Sequence, residues 1–524
     1  SRHSSSNSIS APRGICLVCW CKQKMAALTY CSWLMLSQAA IVSSIDHFSD
    51  TVGGSLYPSY KELSYQQTLD HFDPTAHARW SHRYLLNDDY WDGRGKLPNG
   101  CRGPILMYTG NEGSITGFWE SNGFMVQMLA PKWGALLFFP EQRFYGKSMP
   151  FGNLTLGTSH LRYLTTAQVL EDYVELLDHL KTTLPEAANC PVLAFGGSYG
   201  GTLTALIRAS HPSSVAGGLA ASSELGYYDV ASWPSHGVDH FSFEDVVARD
   251  YREAEPRCLD AIQAAKQAIE AAPTEELLKV FHFCDERALG PSKTSTFTYA
   301  LEGLPQQDYP YAIGSMPAKP VSYACQLLVK GLNAKDSDSM LSAAASVVGM
   351  AFGYDGSSCM QDYGIGGPGN TPGDGPGLGS WGWQSCTETL HRFSARTIRN
   401  YTFDYDSSAA LCAKLYGSAV VPDTAALARQ FGGYALADGS SGVSNIIWSQ
   451  GTLDPWHGWW QQMVQPPEGS GIHHFLLQDS AHHLDLRGPH PQDPPAVTSA
   501  RLAYEKIMHG WIQKASASPS AVVV

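Results

Sequence analysis

The sequence predicts an α/β protein in which one mostly parallel sheet is covered by helices and interrupted by a large helical insertion. Short, continuous apolar runs indicate strands that are buried on both faces. A segment with helical periodicity separates two of these runs, and the order strand, helix, strand implies that the strands are parallel. Between two groups of such runs, residues 225–430 carry helical patterns and most of the later cysteines.

The predicted strands fall into an early and a late group. The early ones are Tyr84–Leu86, Ile105–Tyr108, Ala135–Phe139 and Val192–Phe195, and the late ones are Ile446–Trp448 and Phe475–Leu477. A helix before Val192 starts with a capping box of Thr165 and Gln168, and its apolar residues recur at helical spacing. A closing helix is predicted from about Pro495 to Trp511.

The domain organisation follows from this grouping. We predict a sheet domain made of residues 55–224 and 430–515, a helical cap domain of residues 225–430, and a disordered tail of residues 516–524. Eight cysteines follow residue 45, without a close Cys-x-x-Cys pair, so disulfides are favoured over a zinc site. Eight cysteines allow 105 pairings, and the pairing stays open. The eight are Cys101, Cys190, Cys258, Cys284, Cys325, Cys359, Cys386 and Cys412.

The N-terminal residues 1–45 are predicted to be upstream sequence and a signal peptide that starts near Met25. Lys22 and Lys24 precede an apolar run that ends in small residues, with cleavage expected between Ala39 and Ser44. An apolar helix of the fold or a membrane anchor are the alternatives, although the run is short for a membrane span. The mature chain is therefore expected in the secretory pathway, in a lysosome or vacuole or secreted, without a membrane segment.

Composition narrows the function classes. Hydrophobic residues at 44% and charged residues at 16% describe an ordinary globular protein. A net charge of −13 argues against a nucleic-acid partner, because phosphate binding needs a clustered basic face. The sequons at Asn153 and Asn400 fit glycosylation on the secretory route. A homodimer is an option that the sequence leaves open.

The segment Gly196-Gly197-Ser198-Tyr199-Gly200 contains the pattern Gly-x-Ser-x-Gly. Alone it also fits a glycine-rich turn that binds phosphate, but here it lies between a predicted strand and a predicted helix. That context is the nucleophile elbow of α/β-hydrolases, in which glycines relieve a strained turn and the serine hydroxyl is exposed above the sheet. Ser198 is therefore the candidate nucleophile, and the backbone N–H of Tyr199 is a candidate oxyanion donor.

A serine nucleophile needs a histidine base and a carboxylate to orient it, in the chain order Ser, Asp, His in this fold. Asp454 follows the strand Ile446–Trp448, and His482 follows the strand Phe475–Leu477. Their positions after strands favour them as acid and base. His483, Asp485 and Asp479 are competitors, and spacing alone leaves the choice of histidine open.

Eight segments resemble the lysosomal Pro-Xaa serine exopeptidases, a family that includes prolyl carboxypeptidase, dipeptidyl peptidase II and thymus-specific serine protease. The similarity runs from about Tyr65 to Trp511. The segments are QQTLDHFD, YTGNEG, PEQRFYGKSMPFG, FGGSYGG, DYPYA, WGWQSCTE, NIIWSQGTLDPW and AHHLDLR.

The resemblance implies an α/β-hydrolase fold with a helical, disulfide-bearing cap inserted before the last strands, and cleavage of short peptides after proline or alanine. It implies Ser198 as nucleophile, Asp454 as acid and His482, the first histidine of AHH, as base, with no metal or cofactor. The backbone N–H of Glu112, in TGNEG, is a second candidate oxyanion donor.

The chain also departs from the family pattern near the expected substrate pocket. Glu224 stands where relatives have proline, and Trp459 and Trp460 stand where they have glycines after DPW; Trp456 belongs to DPW itself. We treat Glu224, Trp456 and Trp459 as pocket candidates, and proline preference as less secure than hydrolysis. The alternatives are an esterase or lipase, a non-catalytic binding protein of the same fold, and a zinc hydrolase, for which His-Glu-x-x-His is absent.

Overall fold

A computed structural model describes residues 57–155, 157–360, 378–460 and 462–517. The predicted signal peptide and most of the glycine- and proline-rich stretch after residue 362 lie outside these residues. A sheet of eight strands forms the centre of the described chain, in the order β1-β2-β4-β3-β5-β6-β7-β8. The strands are β1 (Lys61–Thr68), β2 (Arg79–Asn87), β3 (Ile105–Tyr108), β4 (Leu136–Pro140), β5 (Val192–Gly197), β6 (Gly217–Ala221), β7 (Ile446–Gly451) and β8 (Ile472–Leu477).

Strand β2 pairs antiparallel with β1 and β4, whereas β3 to β8 are paired in parallel. This order and these directions are the α/β-hydrolase arrangement, so the predicted fold class is confirmed. The parallel strands β3, β4, β5 and β7 are buried along their whole length, which explains their continuous apolar sequences.

Two strands were not predicted from the sequence. Strand β1 has the sequence KELSYQQT, and only one of its eight residues is buried, so its apolar pattern is weak. Strand β6 has the sequence GGLAA, which lacks the β-branched and aromatic residues that indicate a strand. Its small residues are required by packing, because a Cβ on Gly217 or Gly218 would lie less than 3 Å from Trp511 or Thr204.

Helices cover the sheet on both faces. Thr165 caps the helix Thr166–Thr183, since its side chain accepts a hydrogen bond from the N–H of Gln168. The reciprocal half of the predicted capping box is not formed, because the Gln168 side chain bonds Asp70 and His71 instead. The closing helix runs to Ala517, past the predicted end at Trp511 and into the first two residues of the predicted tail. The α-helices described outside the insertion are Ile115–Ser121, Ala130–Trp133, Thr158–Leu161, Thr166–Thr183, Tyr199–Ser210 and Pro495–Ala517, with a π-helix at Phe124–Leu129 and several short 3-10 helices.

The insertion leaves the sheet after β6 and returns at β7, where the sequence predicted it; its limits at 225 and 430 stay a prediction. Disulfides join Cys258 to Cys325, Cys284 to Cys359 and Cys386 to Cys412 within it, and Cys101 to Cys190 in the sheet domain. Its described α-helices are Ser242–Ala254, Cys258–Ala271, Thr274–Val280, Ser295–Gly303, Pro320–Ala334, Ser337–Ala351, Leu378–Ser385, Tyr405–Tyr416, Ala426–Phe431 and Tyr434–Asp438, and shorter 3-10 helices lie between them.

The cap packs directly on the sheet domain. One continuous hydrophobic cluster includes residues of both, for example Leu301 and Leu304 of the cap together with Trp448 and Leu484. Among the described residues, no helix is long and apolar enough to cross a membrane.

Candidate active site

Ser198 lies on the turn between β5 and the helix Tyr199–Ser210. Its backbone has φ 59° and ψ −129°, a conformation that L-residues rarely adopt and that marks functional turns. Two backbone hydrogen bonds hold the turn: Ser198 N–H donates to Ala221 O at 3.0 Å, and Thr202 N–H donates to Ser198 O at 3.1 Å. A Cβ on Gly196 would lie 2.0 Å from Gly200 O, so the turn requires glycine there.

The candidate oxyanion donors sit beside this turn. Tyr199 is the first residue of its helix, a position at which the backbone N–H has no partner within the helix. Its buried side chain is fixed at the hydroxyl, which is 2.9 Å from Thr166 Oγ1 and accepts a hydrogen bond from Gln384 Nε2 at 3.0 Å. Glu112 lies in the loop after β3, and its neighbour Asn111 packs against Gly200. The loop therefore borders the nucleophile turn.

Asp454 and His482 meet at the carboxyl ends of β7 and β8. His482 Nδ1 lies 2.8 Å from Asp454 Oδ2, and both side chains are fully buried. The other carboxylate oxygen, Oδ1, accepts the N–H of Trp456 at 3.1 Å. His482 Nε2 is buried and has no hydrogen-bond partner among the described residues. Asp454 therefore fixes the imidazole on one side and leaves the other nitrogen free for chemistry.

The competing residues have other partners. His483 N–H donates to Ser222 Oγ at 2.8 Å, and burial together with the neighbouring His482 holds the pKa of His483 well below its usual value. Asp485 Oδ2 accepts the hydroxyls of Ser449 at 2.6 Å and Tyr504 at 3.0 Å, away from both histidines. The exposed Asp479 has a positive φ of 57° in the turn after β8.

The three proposed catalytic residues therefore come from one edge of the sheet. Ser198 follows β5, Asp454 follows β7 and His482 follows β8, and all three strands are parallel. The histidine loop reaches the nucleophile strand, because a Cβ on Gly197 would lie 2.8 Å from the ring of His483. Within the described residues, no hydrogen bond joins the hydroxyl of Ser198 to Nε2 of His482.

Two buried carboxyl groups, Glu112 and Glu224, lie close enough to interact. Burial, reinforced by the charge of Glu224, raises the pKa of Glu112 to about 8. Asn111 Nδ2 donates to Glu112 Oε2 at 2.8 Å. Glu224 accepts the hydroxyl of Tyr228, and its Oε2 is 3.1 Å from His391 Nε2, a contact of ion-pair length without hydrogen-bond geometry. Glu112 therefore keeps its proton to a higher pH than an ordinary glutamate does.

The tryptophans after Asp454 form part of the buried short helix Pro455–Trp460. The ring of Trp456 is 6.3 Å from that of His482, and its Nε1 donates to Gln306 Oε1 at 2.9 Å. Trp459 packs against Trp448 and donates from Nε1 to Ser223 O at 2.7 Å. Their roles in a substrate pocket, like that of Glu224, stay predictions.

The glycosylation candidates also stay predictions. Asn400 is exposed in a loop of the cap, as an acceptor asparagine needs to be. Asn153 lies in the short helix Gly152–Leu154 of the sheet domain.

Sequence reasoning missed the cap residues that touch the site. Gln306, Tyr309, Gln384, Tyr228 and His391 each contact a candidate site residue or its backbone. The segments DYPYA and WGWQSCTE contain two of them, so the resemblance marked these stretches without giving them a role.

Comparison with known proteins gives one family. The model of Peptidase S28, described as serine carboxypeptidase S28, matches residues 67–503. Lysosomal Pro-X carboxypeptidase of Homo sapiens is 32% identical over 475 residues, which cover 87% of this chain and 89% of that protein. Thymus-specific serine protease of Homo sapiens is 25% identical over 531 residues, covering 95% and 98%. A solved structure of proline iminopeptidase from Mycobacterium smegmatis has a TM-score of 0.36 at 11% identity, covering 86% and 100%.

Proposed function

We propose a function on one premise: the chain belongs to the serine carboxypeptidase S28 family. On this premise it is a serine exopeptidase that hydrolyses short peptides after proline and releases the residue at the carboxyl terminus. This is the activity that the name of the lysosomal Pro-X carboxypeptidases states. Those of Mus musculus and Homo sapiens are 32% identical to this chain over most of both lengths.

The observation that carries the proposal is the pair formed by Asp454 and His482. A histidine with Nδ1 bound to a buried carboxylate and Nε2 free is the base that a serine nucleophile requires. Ser198 supplies a hydroxyl on a strained turn at the same edge of the sheet.

The reaction is acyl transfer through a covalent intermediate. His482 Nε2 accepts the hydroxyl proton of Ser198, and Oγ attacks the carbonyl carbon of the scissile bond. The N–H groups of Tyr199 and Glu112 stabilise the oxyanion, and loss of one such donor costs about 10²–10³ in rate. The protonated His482 then gives its proton to the leaving amine as the C–N bond breaks. In the second half, His482 takes a proton from a water molecule that attacks the acyl carbon, and it returns this proton to Oγ of Ser198 as the ester bond breaks. Asp454 stays ionised and holds the imidazole tautomer throughout.

Burial of the nucleophile favours an exopeptidase. Ser198 is only 3% exposed, and the cap residue Gln384 bonds the side chain of its neighbour Tyr199. Such a nucleophile suits the narrow chain end of a short peptide better than the surface of a folded protein. The same burial disfavours an enzyme that acts on large lipid surfaces.

The disulfides support a compartment on the secretory route. Four disulfides are typical of proteins in oxidising compartments, which agrees with a lysosomal or secreted protein. Sequencing the N-terminus of the protein after expression in a eukaryotic cell tests the predicted cleavage between Ala39 and Ser44.

The central experiment follows product release from matched tripeptides. We expect the enzyme to release the last residue from an N-blocked Xaa-Pro-Xaa peptide and to act slowly on the same peptide with valine in place of proline. Ser198→Ala is expected to be inactive and to resist fluorophosphonate labelling.

Two results contradict the proposal in different ways. Cleavage only of peptides with a free amino terminus, with release of a dipeptide, replaces the carboxypeptidase activity by a dipeptidyl peptidase activity. Full activity of Ser198→Ala rejects the serine mechanism.

A further inference from the structure

The backbone of His482 is held by the cap and not only by its own domain. His482 N–H donates to Gln306 O at 3.1 Å, and the hydroxyl of Tyr309 donates to His482 O at 3.0 Å. Gln306 belongs to the short cap helix Leu304–Gln307, and Tyr309 follows two residues after it. Both peptide groups of the histidine, the one before its Cα and the one after, are thus fixed from the insertion. We call Gln306 and Tyr309 the clamp.

The clamp also reaches the acid. Gln306 Oε1 accepts the indole N–H of Trp456 at 2.9 Å, and the backbone N–H of Trp456 donates to Asp454 Oδ1 at 3.1 Å. One residue of the cap therefore contacts both the histidine loop and the residue that orients the aspartate.

The clamp is itself rigid. Gln306 is 3% exposed and Tyr309 is 3% exposed, so neither exchanges its partner for water at low cost. The guanidinium of Arg487 lies 4.6 Å from the centre of the Tyr309 ring, and Lys319 N–H donates to Tyr309 O at 2.8 Å. The tyrosine is therefore fixed on its face and at its backbone, with its hydroxyl aimed at His482.

A second contact connects the cap with the nucleophile turn. Gln384, in the cap helix Leu378–Ser385, donates from Nε2 to the hydroxyl of Tyr199 at 3.0 Å. In the described part of the sheet domain, that hydroxyl is bonded only by Thr166. The cap thus touches the residue that carries the candidate oxyanion N–H as well as the base.

From these contacts we propose that Gln306 and Tyr309 are positioning residues that align the imidazole of His482 with Ser198, so that the cap is a working part of the catalytic centre. The inference rests on the proposed function, because Gln306 and Tyr309 are assigned a role only through the proposed base, His482. Movement of the cap as a rigid lid would break both backbone hydrogen bonds. The cap therefore stays docked during turnover, and substrate enters without its removal.

The test replaces Tyr309 by phenylalanine, which removes one hydroxyl and keeps the ring. Misplacement of a catalytic group by a fraction of an ångström lowers the rate of the chemical step, and we expect kcat to fall about tenfold with KM unchanged. The rate of fluorophosphonate labelling of Ser198 is expected to fall by the same factor, because labelling needs the base but not substrate binding.

Tyr311→Phe is the matched control. Tyr311 lies two residues further on and stacks near Tyr309, with 6.4 Å between ring centres, but its hydroxyl bonds no atom of the described chain. We expect this variant to keep wild-type kcat and labelling. If Tyr309→Phe does not fold, Gln306→Met serves instead: it deletes the bond to Trp456 and is expected to lower kcat severalfold with KM unchanged.

Three outcomes overturn the inference while the proposed function stands. In the first, the enzyme is active and Tyr309→Phe keeps kcat and labelling within twofold of wild type. In the second, Tyr309→Phe and Tyr311→Phe lose kcat equally, and in the third a variant raises KM and leaves labelling unchanged. A wild-type protein that neither labels nor cleaves peptides rejects the proposed function itself.

Discussion

Replacement of Asp454 by asparagine tests the assignment of acid and base most directly. The carboxylate is fully buried, and its Oδ2 faces His482 Nδ1 at 2.8 Å while Oδ1 accepts the N–H of Trp456. Asparagine keeps the shape and can still accept from Trp456 with its oxygen. Its amide nitrogen then faces Nδ1 and donates, so Nδ1 must accept and the imidazole proton moves to Nε2. That tautomer cannot take a proton from Ser198.

The expected loss of activity follows from this change in the tautomer of His482. A wrong tautomer in a serine–histidine–aspartate site lowers kcat by about 10⁴, which corresponds to about 5 kcal/mol of activation free energy. Folding is expected to change far less, because volume and one hydrogen bond are retained. The assay is kcat and KM on an N-blocked Xaa-Pro-Xaa peptide at neutral pH, together with the free energy of unfolding in urea.

Asp485→Asn is the matched control for this experiment. Asp485 is as buried as Asp454 and lies three residues from His482, but its Oδ2 accepts from Ser449 and Tyr504. We expect it to lose about 1–3 kcal/mol of stability and to keep kcat within about threefold. Equal loss of kcat in both variants, or an Asp454→Asn enzyme within tenfold of wild type, refutes the assignment of Asp454.

Three further predictions follow from the fold. Gly196→Ala is expected to abolish soluble expression or labelling, because its Cβ would lie 2.0 Å from Gly200 O; activity like wild type in a labelling assay would contradict this close approach in the turn. Burial raises the pKa of Asp308 to about 6, so the folded chain binds a proton that the unfolded chain releases above about pH 4. The contribution of Asp308 to the free energy of unfolding is therefore fully present below pH 4 and falls by about 3 kcal/mol as the pH rises through 6. Urea titrations at pH 4 and 7 measure this fall, and Asp308→Asn is expected to remove it. Cys258→Ser with Cys325→Ser is expected to lower the free energy of unfolding by about 2–5 kcal/mol, and an unchanged urea midpoint would count against this disulfide.

The predictable part of the fold was the part encoded in local sequence. Continuous apolar runs indicated β3, β4, β5 and β7 because these strands are buried on both faces. Strand β6 was missed because its sequence GGLAA is set by close packing against Trp511 and Thr204. A strand whose residues must be small lacks the β-branched and aromatic residues by which a strand is recognised in a sequence.

The candidate site likewise has a part that local sequence encodes and a part that only the folded chain shows. Ser198, Asp454 and His482 could be proposed from sequence because each follows a strand, and the fold brings the carboxyl ends of parallel strands to one edge. The choice between His482 and His483 needed the resemblance, since the two neighbours differ only in where their side chains point. The clamp was not predictable, because the hydrogen bond from Tyr309 to His482 joins residues 173 positions apart and no local pattern encodes it.

The clamp changes how specificity in this chain should be understood. A cap that only covers a site can be redesigned without touching the chemistry, but this cap contacts the backbone of His482 through Gln306 and Tyr309 and the side chain of Tyr199 through Gln384. Substitutions that alter substrate choice by shifting the cap are therefore expected to shift the proposed base and the proposed oxyanion donor as well. Glu224 is less constrained, because it follows strand β6 of the sheet domain and its cap contacts, Tyr228 and His391, do not belong to the clamp. We therefore expect substrate preference to be tuned more freely at Glu224 than at any residue of the clamp.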